Sequence, residues 1–318
     1  MQARWLSLVA MSWLCAACGG DKEEQEPEPG PNPAATKLDS FKKGSLVTGE
    51  DARYWALKAS APNIYTLVNT VSLISSGPDS SREADPACPV ETQQGLVTHK
   101  KGGCTDKYGV EWVGAVEEKI NAGGGIVYTY SGFGFREPVA CDGKTATHSL
   151  VYDGSLTMSS GMKLQTFSIQ LVMDAVTVDS GTCATEAVSS AVDYQGSTTS
   201  EGSDQSKPST WNGSGRIGYA DTGVISAETR DEVTHSEVCA SEAISGKTTL
   251  TTDGHRAEIQ YDGATDCEET ATVQWNLDGA AQGELEGIAC SASNGPSLAM
   301  WGVGLFGALG LMRRRARR

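Results

Sequence analysis

The sequence predicts a mainly β fold, an antiparallel meander of about ten to fourteen strands with one N-terminal helix. Apolar and polar residues alternate through much of residues 87–289, as in strands that bury one face and expose the other. Asp-Gly pairs separate these runs and suit two-residue hairpin turns, which need positive φ. The pattern leaves open a sandwich, a partly closed barrel or a curled sheet. The alternating runs include residues 110–116, 167–175, 257–261 and 271–277, and Asp-Gly pairs stand at 142–143, 153–154, 253–254, 262–263 and 278–279.

The helix is predicted within residues 37–86, ahead of the β domain. Its apolar residues recur with helical spacing, Pro62 stands just before them, and Ser-Ser-Gly-Pro at residues 75–78 ends the pattern. The apolar residues are Ile64, Leu67, Val68, Val71 and Ile74.

The N-terminus has the pattern of an export signal. A short basic region is followed by the apolar residues 5–14, a stretch too short to span a membrane. The next residues, Cys15, Ala16, Ala17 and Cys18, resemble a bacterial lipobox. This resemblance implies removal of a signal peptide, residues 1–17, and attachment of a membrane lipid to Cys18. Cleavage of an ordinary signal peptide nearby is the alternative.

The residues after Cys18 predict a disordered tether over residues 18–36. They are rich in proline and in charged side chains, and alanine is their main apolar residue. Such a composition does not bury enough apolar surface to fold. Gly19 follows the candidate lipid site, and in the lipoproteins that this segment resembles, that residue favours export to the outer membrane or cell surface.

The C-terminal residues 290–318 form a second targeting pattern. Cys290 precedes a polar spacer, and the apolar residues 297–312 are followed by an arginine cluster that begins with Arg313, Arg314 and Arg315. This arrangement resembles the myxobacterial type of C-terminal sorting signal. The resemblance implies an encounter with export and sorting machinery and removal of the tail. A permanent transmembrane anchor is the alternative, and the arginines match the positive-inside rule.

The chain contains nine cysteines. Cys15 belongs to the signal peptide, Cys18 is the candidate lipid site, and Cys290 belongs to the tail, so six remain. An even number in an exported chain predicts a disulfide framework, although six cysteines allow fifteen pairings. We favour pairs between neighbours in the sequence. None of the six lies in a C-x-x-C pair, so no metal or other cofactor is predicted. The favoured pairs are Cys88–Cys104, Cys141–Cys183 and Cys239–Cys267.

Internal similarity predicts a duplicated β domain over residues 87–289. Residues 183–189 match residues 239–245, and residues 141–154 resemble residues 267–279. The polar stretch 200–210 lies between the two halves and is predicted to be an exposed loop. Part of the domain also resembles uncharacterised surface lipoproteins of the same bacterial group. That resemblance implies no activity and rests on Cys88-Pro89, on residues 102–106, and on Gly109, Trp112 and Gly114.

No catalytic set is evident from the sequence. The four histidines, His99, His148, His235 and His255, have polar neighbours and are predicted to face solvent on strands. The G-x-S-x-G motif of serine hydrolases is absent. Acidic residues around Cys267 could bind calcium, although their spacing does not match a known loop. Seven aromatic residues are predicted to be core residues, with an exposed glycan-binding row as the alternative: Tyr54, Trp55, Tyr128, Tyr130, Trp211, Tyr261 and Trp275.

These patterns predict a cell-envelope surface lipoprotein that has a structural or ligand-binding role and is not an enzyme. The formal net charge of −15 argues against nucleic acid as a partner. Two alternatives stay open. One is a secreted hydrolase whose acidic groups converge only in three dimensions, and the other is a calcium-dependent adhesin.

Overall fold

The computed structural model describes residues 32–74, 77–79, 81–121, 123–141, 143–160, 164–200, 207–235, 243–261 and 272–286. The predicted mainly β, antiparallel fold is confirmed, because fourteen strands form one open sheet. The strands are β1 Val90–Gln94, β2 Val97–Lys101, β3 Cys104–Thr105, β4 Glu111–Ile120, β5 Ile126–Cys141, β6 Lys144–Ser160, β7 Leu164–Val178, β8 Thr185–Ser200, β9 Ser209–Tyr219, β10 Gly223–Thr234, β11 Ser245–Thr252, β12 His255–Tyr261, β13 Thr272–Leu277 and β14 Ala280–Glu286.

The sheet is a meander. From β4 to β14 each strand pairs with the next strand of the chain, β1 and β2 extend the row beyond β4, and β3 pairs with β4 outside the row. All of these pairings are antiparallel. Such a connection needs only short turns, which agrees with the turn signals in the sequence.

Most of the Asp-Gly turns lie where they were predicted. The pair at 253–254 joins β11 to β12, and Gly143 lies between β5 and β6. Between β13 and β14, Asp278 and Gly279 have φ angles of 52° and 81°, the positive values that a type I′ turn requires. The turn predicted at 153–154 is wrong, because both residues lie within β6. The pair at 262–263 lies outside the described residues.

The described residues contain three helices where one was predicted: α1 Pro33–Ser40, α2 Gly49–Ala59 and α3 Ala61–Ser72. The predicted helix is α3. Helix α1 begins inside the residues assigned to the tether, where Asn32 accepts a hydrogen bond from the Ala35 N–H and proline occupies the first turn. Helix α2 begins at a capping box formed by Thr48 and Asp51, a sequence signal that the apolar pattern alone had not indicated.

The sheet curls around α2 and α3. Side chains of both helices share one apolar core with residues from β4 to β14. The Tyr130 hydroxyl on β5 donates a 3.0 Å hydrogen bond to the Val71 carbonyl of α3, while α2 packs against β10, β11 and β14. Laid flat, the strands from β4 to β14 would span about 48 Å, whereas a helix of this size is only about 17 Å long. Two such short helices contact so many strands because the sheet bends round them.

Helix α1 lies on the opposite face of the sheet, here called the outer face. Leu38 and Phe41 pack on Val172, Ala191 and Val224, in a cluster separate from the main core. The chain after α1 then crosses to the inner face beside the β9–β10 turn. There the Gly44 N–H donates to the Val224 carbonyl at 2.9 Å, and the Val224 N–H donates to the Lys42 carbonyl at 3.0 Å.

Within the described part of the chain, no helix has the length and apolar character needed to cross a membrane. The apolar segment predicted at residues 297–312 lies outside that part.

Candidate functional site

Two of the three predicted disulfides are confirmed. Cys88 is bonded to Cys104, and Cys141 is bonded to Cys183. The second bond joins the end of β5 to the loop after β7, so that it closes the β6–β7 hairpin. Cys239 and Cys267 lie outside the described residues, as do Cys18, Cys290, Arg313, Arg314 and Arg315.

We expect the third disulfide to close the β11–β12 hairpin in the same way. Cys239 stands before β11 and Cys267 before β13, just as Cys141 stands before β6 and Cys183 before β8. Peptide mapping of the unreduced mature protein should recover the Cys239 and Cys267 peptides as one linked species, which separates after reduction. A free thiol at either residue, or a bond from either to another cysteine, would contradict the pairing.

The histidines are not assembled into a catalytic centre. His99 lies 3.5 Å from Glu117, and His255 lies 2.8 Å from Asp278. The side chains of His99 and His255 are partly exposed, at 44% and 41%, in line with the prediction that they face solvent. The backbone N–H of Arg256 and the ring of His255 hold the pKa of Asp278 below its usual range. The Asp278 contacts join the start of β12 to the β13–β14 turn, whereas the His99–Glu117 pair lies between β2 and β4.

The prediction that all four histidines face solvent is wrong for His148, which is 3% exposed. It lies on the inner face of β6, with its ring edge against Phe135 at a centroid distance of 5.3 Å. Desolvation by burial lowers the pKa of His148, so the ring is neutral at neutral pH. Its cross-strand partner is Glu137, which accepts a 2.7 Å hydrogen bond from Arg82. His235 is half-buried.

Lys58 of α2 is a second buried titratable group. Its ammonium lies 5.3 Å and 5.2 Å from the ring centroids of Tyr54 and Tyr219, within the range of cation–π attraction. Burial lowers the pKa of Lys58 to about 8. These contacts hold α2 against β9.

The aromatic residues mainly form the core. Of the seven that the sequence singled out, Trp55, Tyr130, Trp211, Tyr261 and Trp275 are buried. The other two, Tyr54 and Tyr128, are partly buried and pack against the same core. These residues therefore do not form an exposed glycan-binding row.

A groove of about 630 Å³ lies across β6 to β10, here called the outer groove. Most of the side chains that line it stand on the outer face, whereas those of Phe167 and Thr229 are buried on the inner face. One row of side chains runs across it at paired positions of five adjacent strands. This polar row consists of Thr157, Ser168, Gln195, Ser214 and Glu228.

A second, shorter row lies beside the first, where Thr166, Ser197 and Asn212 pair across β7, β8 and β9. The Asn212 side chain accepts a 2.9 Å hydrogen bond from the Asp231 N–H. Asp231 has a φ of 51° and belongs to a β-bulge between Thr229 and Glu232. The bulge therefore forms the β10 wall of the outer groove.

Charged groups are concentrated at the β10 end of the groove. Arg230 lies 2.6 Å from Glu228 in an ion pair, and Asp231 is exposed beside them. The remaining polar side chains of the groove carry hydroxyl or carboxamide groups. The outer groove thus combines uncharged hydrogen-bonding groups with one charged end.

Behind the bulge, on the inner face, lies a buried acid. Glu232 is completely buried and is the cross-strand partner of Trp211. Among the described residues, neither carboxyl oxygen of Glu232 nor Nε1 of Trp211 has a hydrogen-bond partner. Desolvation raises the pKa of Glu232 to about 8, so at neutral pH this side chain is an uncharged carboxylic acid.

No three potential metal ligands are grouped among the described residues. The acidic residues proposed for calcium, Asp262, Asp266, Glu268 and Glu269, lie outside them. The hydrophobic pattern of the sequence does not indicate the outer groove. On β6 to β9 the solvent-side positions in the groove are Thr, Ser, Gln or Asn, and only the strand register shows that they align.

The sequence matches no protein-family profile, no curated protein and no solved structure.

Proposed function

We propose that the protein is a lipid-anchored protein of the cell envelope that binds a ligand in the outer groove and is not an enzyme. The proposed ligand-binding role rests on the outer groove, because the groove is wide and is lined by aligned polar side chains. Support for the absence of catalysis comes from the histidines. His99 and His255 pair with the carboxylates of Glu117 and Asp278 at partly exposed positions, and His148 is buried beside Phe135.

Several features support the proposed location. The disulfides Cys88–Cys104 and Cys141–Cys183 are compatible with an oxidising compartment outside the cytoplasm. Pro33, where α1 begins, lies fifteen positions after Cys18, and a fully extended segment of this length reaches about 50 Å. A lipid on Cys18 would therefore leave the folded part free to face a ligand away from the bilayer.

We predict that replacement of Cys18 by serine abolishes lipidation and releases the protein from the membrane. Gln25→Ser is the control, because it introduces a serine after the lipobox and leaves residues 15–18 unchanged. Intact-mass measurement of protein isolated from its native membrane, together with detergent phase partitioning, reports the outcome. A Cys18→Ser protein that still carries a lipid, or a wild-type N-terminus that begins downstream and is unmodified, would refute the anchor.

The same intact mass determines the other end of the mature chain. We expect a C-terminus at or near Cys290, because a lipid at Cys18 and a spanning helix in another membrane are hard to reconcile in one mature molecule. A mature mass that includes the arginine cluster would show instead that the tail is a permanent anchor.

A further inference from the structure

The chemistry of the outer groove restricts the class of ligand. The uncharged members of the polar row, Thr157, Ser168, Gln195 and Ser214, lie on four adjacent strands. Hydroxyl and carboxamide groups each donate and accept hydrogen bonds. A ligand that displaces water from these groups must offer both donors and acceptors. A groove side chain that loses its water and gains no hydrogen bond from the ligand weakens the binding.

The groove does not suit an apolar or polyanionic ligand. Phe167 is the one non-glycine apolar residue among the described groove residues, and its side chain is buried on the inner face. Arg230 is the one cation of the lining, and it is already paired with Glu228. A nucleic acid or an acidic polymer would meet the carboxylates of Glu228 and Asp231 on a chain of net charge −15.

The direction of the groove favours an elongated ligand. The polar row runs across the strands, and adjacent members are separated by the strand spacing of about 4.8 Å, so that the five members span roughly 19 Å. The hydrogen-bonding groups recur along one line. A polymer whose units each carry hydroxyl groups could therefore form hydrogen bonds along the whole row. At one end the carboxylate of Glu228 can accept hydrogen bonds from hydroxyls, and the Arg230 guanidinium can donate them.

We infer that the outer groove binds an uncharged carbohydrate chain that lies across β6 to β10. This inference rests on the proposed ligand-binding function and specifies its ligand. Recognition in the groove uses hydrogen bonds from side chains of the sheet, since the aromatic residues lie in the core.

The test is binding of the mature protein to an array that carries neutral oligosaccharides beside sulfated and uronic-acid chains, followed by titration calorimetry with the neutral hexasaccharide that binds best. The double variant Gln195→Ala/Ser214→Ala removes two central hydrogen-bonding groups of the row. Gln274→Ala is the matched control, because Gln274 is exposed on β13, outside the groove. We expect at least about a tenfold loss of affinity for the double variant and none for the control.

The outcomes separate this inference from the broader proposal. Binding confined to sulfated or uronic-acid chains would overturn the uncharged class of ligand while retaining a binding role. Neutral-chain binding that the double variant leaves intact would overturn the outer groove as the site. Failure of every carbohydrate to bind would overturn the inference, whereas the membrane anchor is judged separately by the Cys18→Ser protein. Unchanged thermal melting of the variants shows that they fold.

Discussion

Replacing Glu232 by glutamine is expected to stabilise the protein at pH 8 by several kcal/mol and to have little effect near pH 4.5. Glu232 is completely buried, and burial raises its pKa from an ordinary value of 4.5 to about 8. The folded state therefore holds a proton that the unfolded chain releases as the pH rises above about 4.5.

The sign of this effect follows from the raised pKa. A group that binds its proton more tightly in the folded state favours folding fully below its unfolded pKa, and that contribution is lost as the pH rises through the folded value. At about 1.4 kcal/mol per pKa unit, the loss between pH 4.5 and 8 is on the order of 4 kcal/mol. Glutamine has nearly the same shape as glutamic acid and carries no charge. The Glu232→Gln protein should therefore not lose this stability as the pH rises.

The measurement is thermal or denaturant unfolding of the wild type and of Glu232→Gln at several pH values between 4.5 and 8.5. The difference in melting temperature should grow with pH and reach on the order of 10 °C. Glu284→Gln on the exposed edge strand β14 is the matched control, and we expect no such trend for it. Parallel curves for the wild type and Glu232→Gln would show that Glu232 is not a buried neutral acid.

The second large effect is expected from Gly154→Ala. Gly154 lies in the middle of β6 with a φ of 116°, and a β-carbon at this position would overlap the backbone carbonyl oxygen of Gln170 on β7. Because both clashing groups belong to paired backbone, neither can move without disturbing the sheet. We expect a destabilisation of about 3 to 5 kcal/mol.

Gly279→Ala is the matched control for this substitution. Gly279 also has a positive φ, of 81°, but a β-carbon there would meet open space. Both variants change the conformational entropy of the unfolded chain in the same way. The difference between their unfolding free energies therefore reports the steric overlap at Gly154. We expect Gly279→Ala to lose about 1 to 2 kcal/mol and Gly154→Ala to lose clearly more, or to accumulate as insoluble protein. Equal unfolding midpoints for the two soluble variants would contradict the steric explanation.

The same glycine explains why one predicted turn is wrong. The Asp153-Gly154 pair lies opposite a β-bulge in β5, where the register shifts between Tyr130 and Phe133. The Gly132 N–H donates a 3.4 Å hydrogen bond to the Asp153 carboxylate across this bulge. Asp-Gly suits any position that needs positive φ and a nearby acceptor, so the dipeptide alone does not distinguish a hairpin turn from a bulge within paired strands.

A bulge also decides the position of the buried acid. Counting every second residue from the buried Ile225 would place Asp231 inside and Glu232 outside. The bulge between Thr229 and Glu232 reverses this order, so that Glu232 is buried and Asp231 is exposed at the outer groove. Alternation predicts the two faces only while the register is unbroken, and the bulge is not visible in the hydrophobic pattern.

Local features of the sequence predict the β class of the domain, helix α3 and several of the hairpin turns, and they favour the disulfides Cys88–Cys104 and Cys141–Cys183. Each of these depends on local periodicity, on turn chemistry or on cysteines that are neighbours in the sequence. The open sheet that curls around α2 and α3, the alignment of polar side chains from five strands in one groove and the burial of Glu232 are visible only in the folded structure. These features depend on the register between strands, and register is decided by packing across the whole sheet rather than by the residues of any single strand.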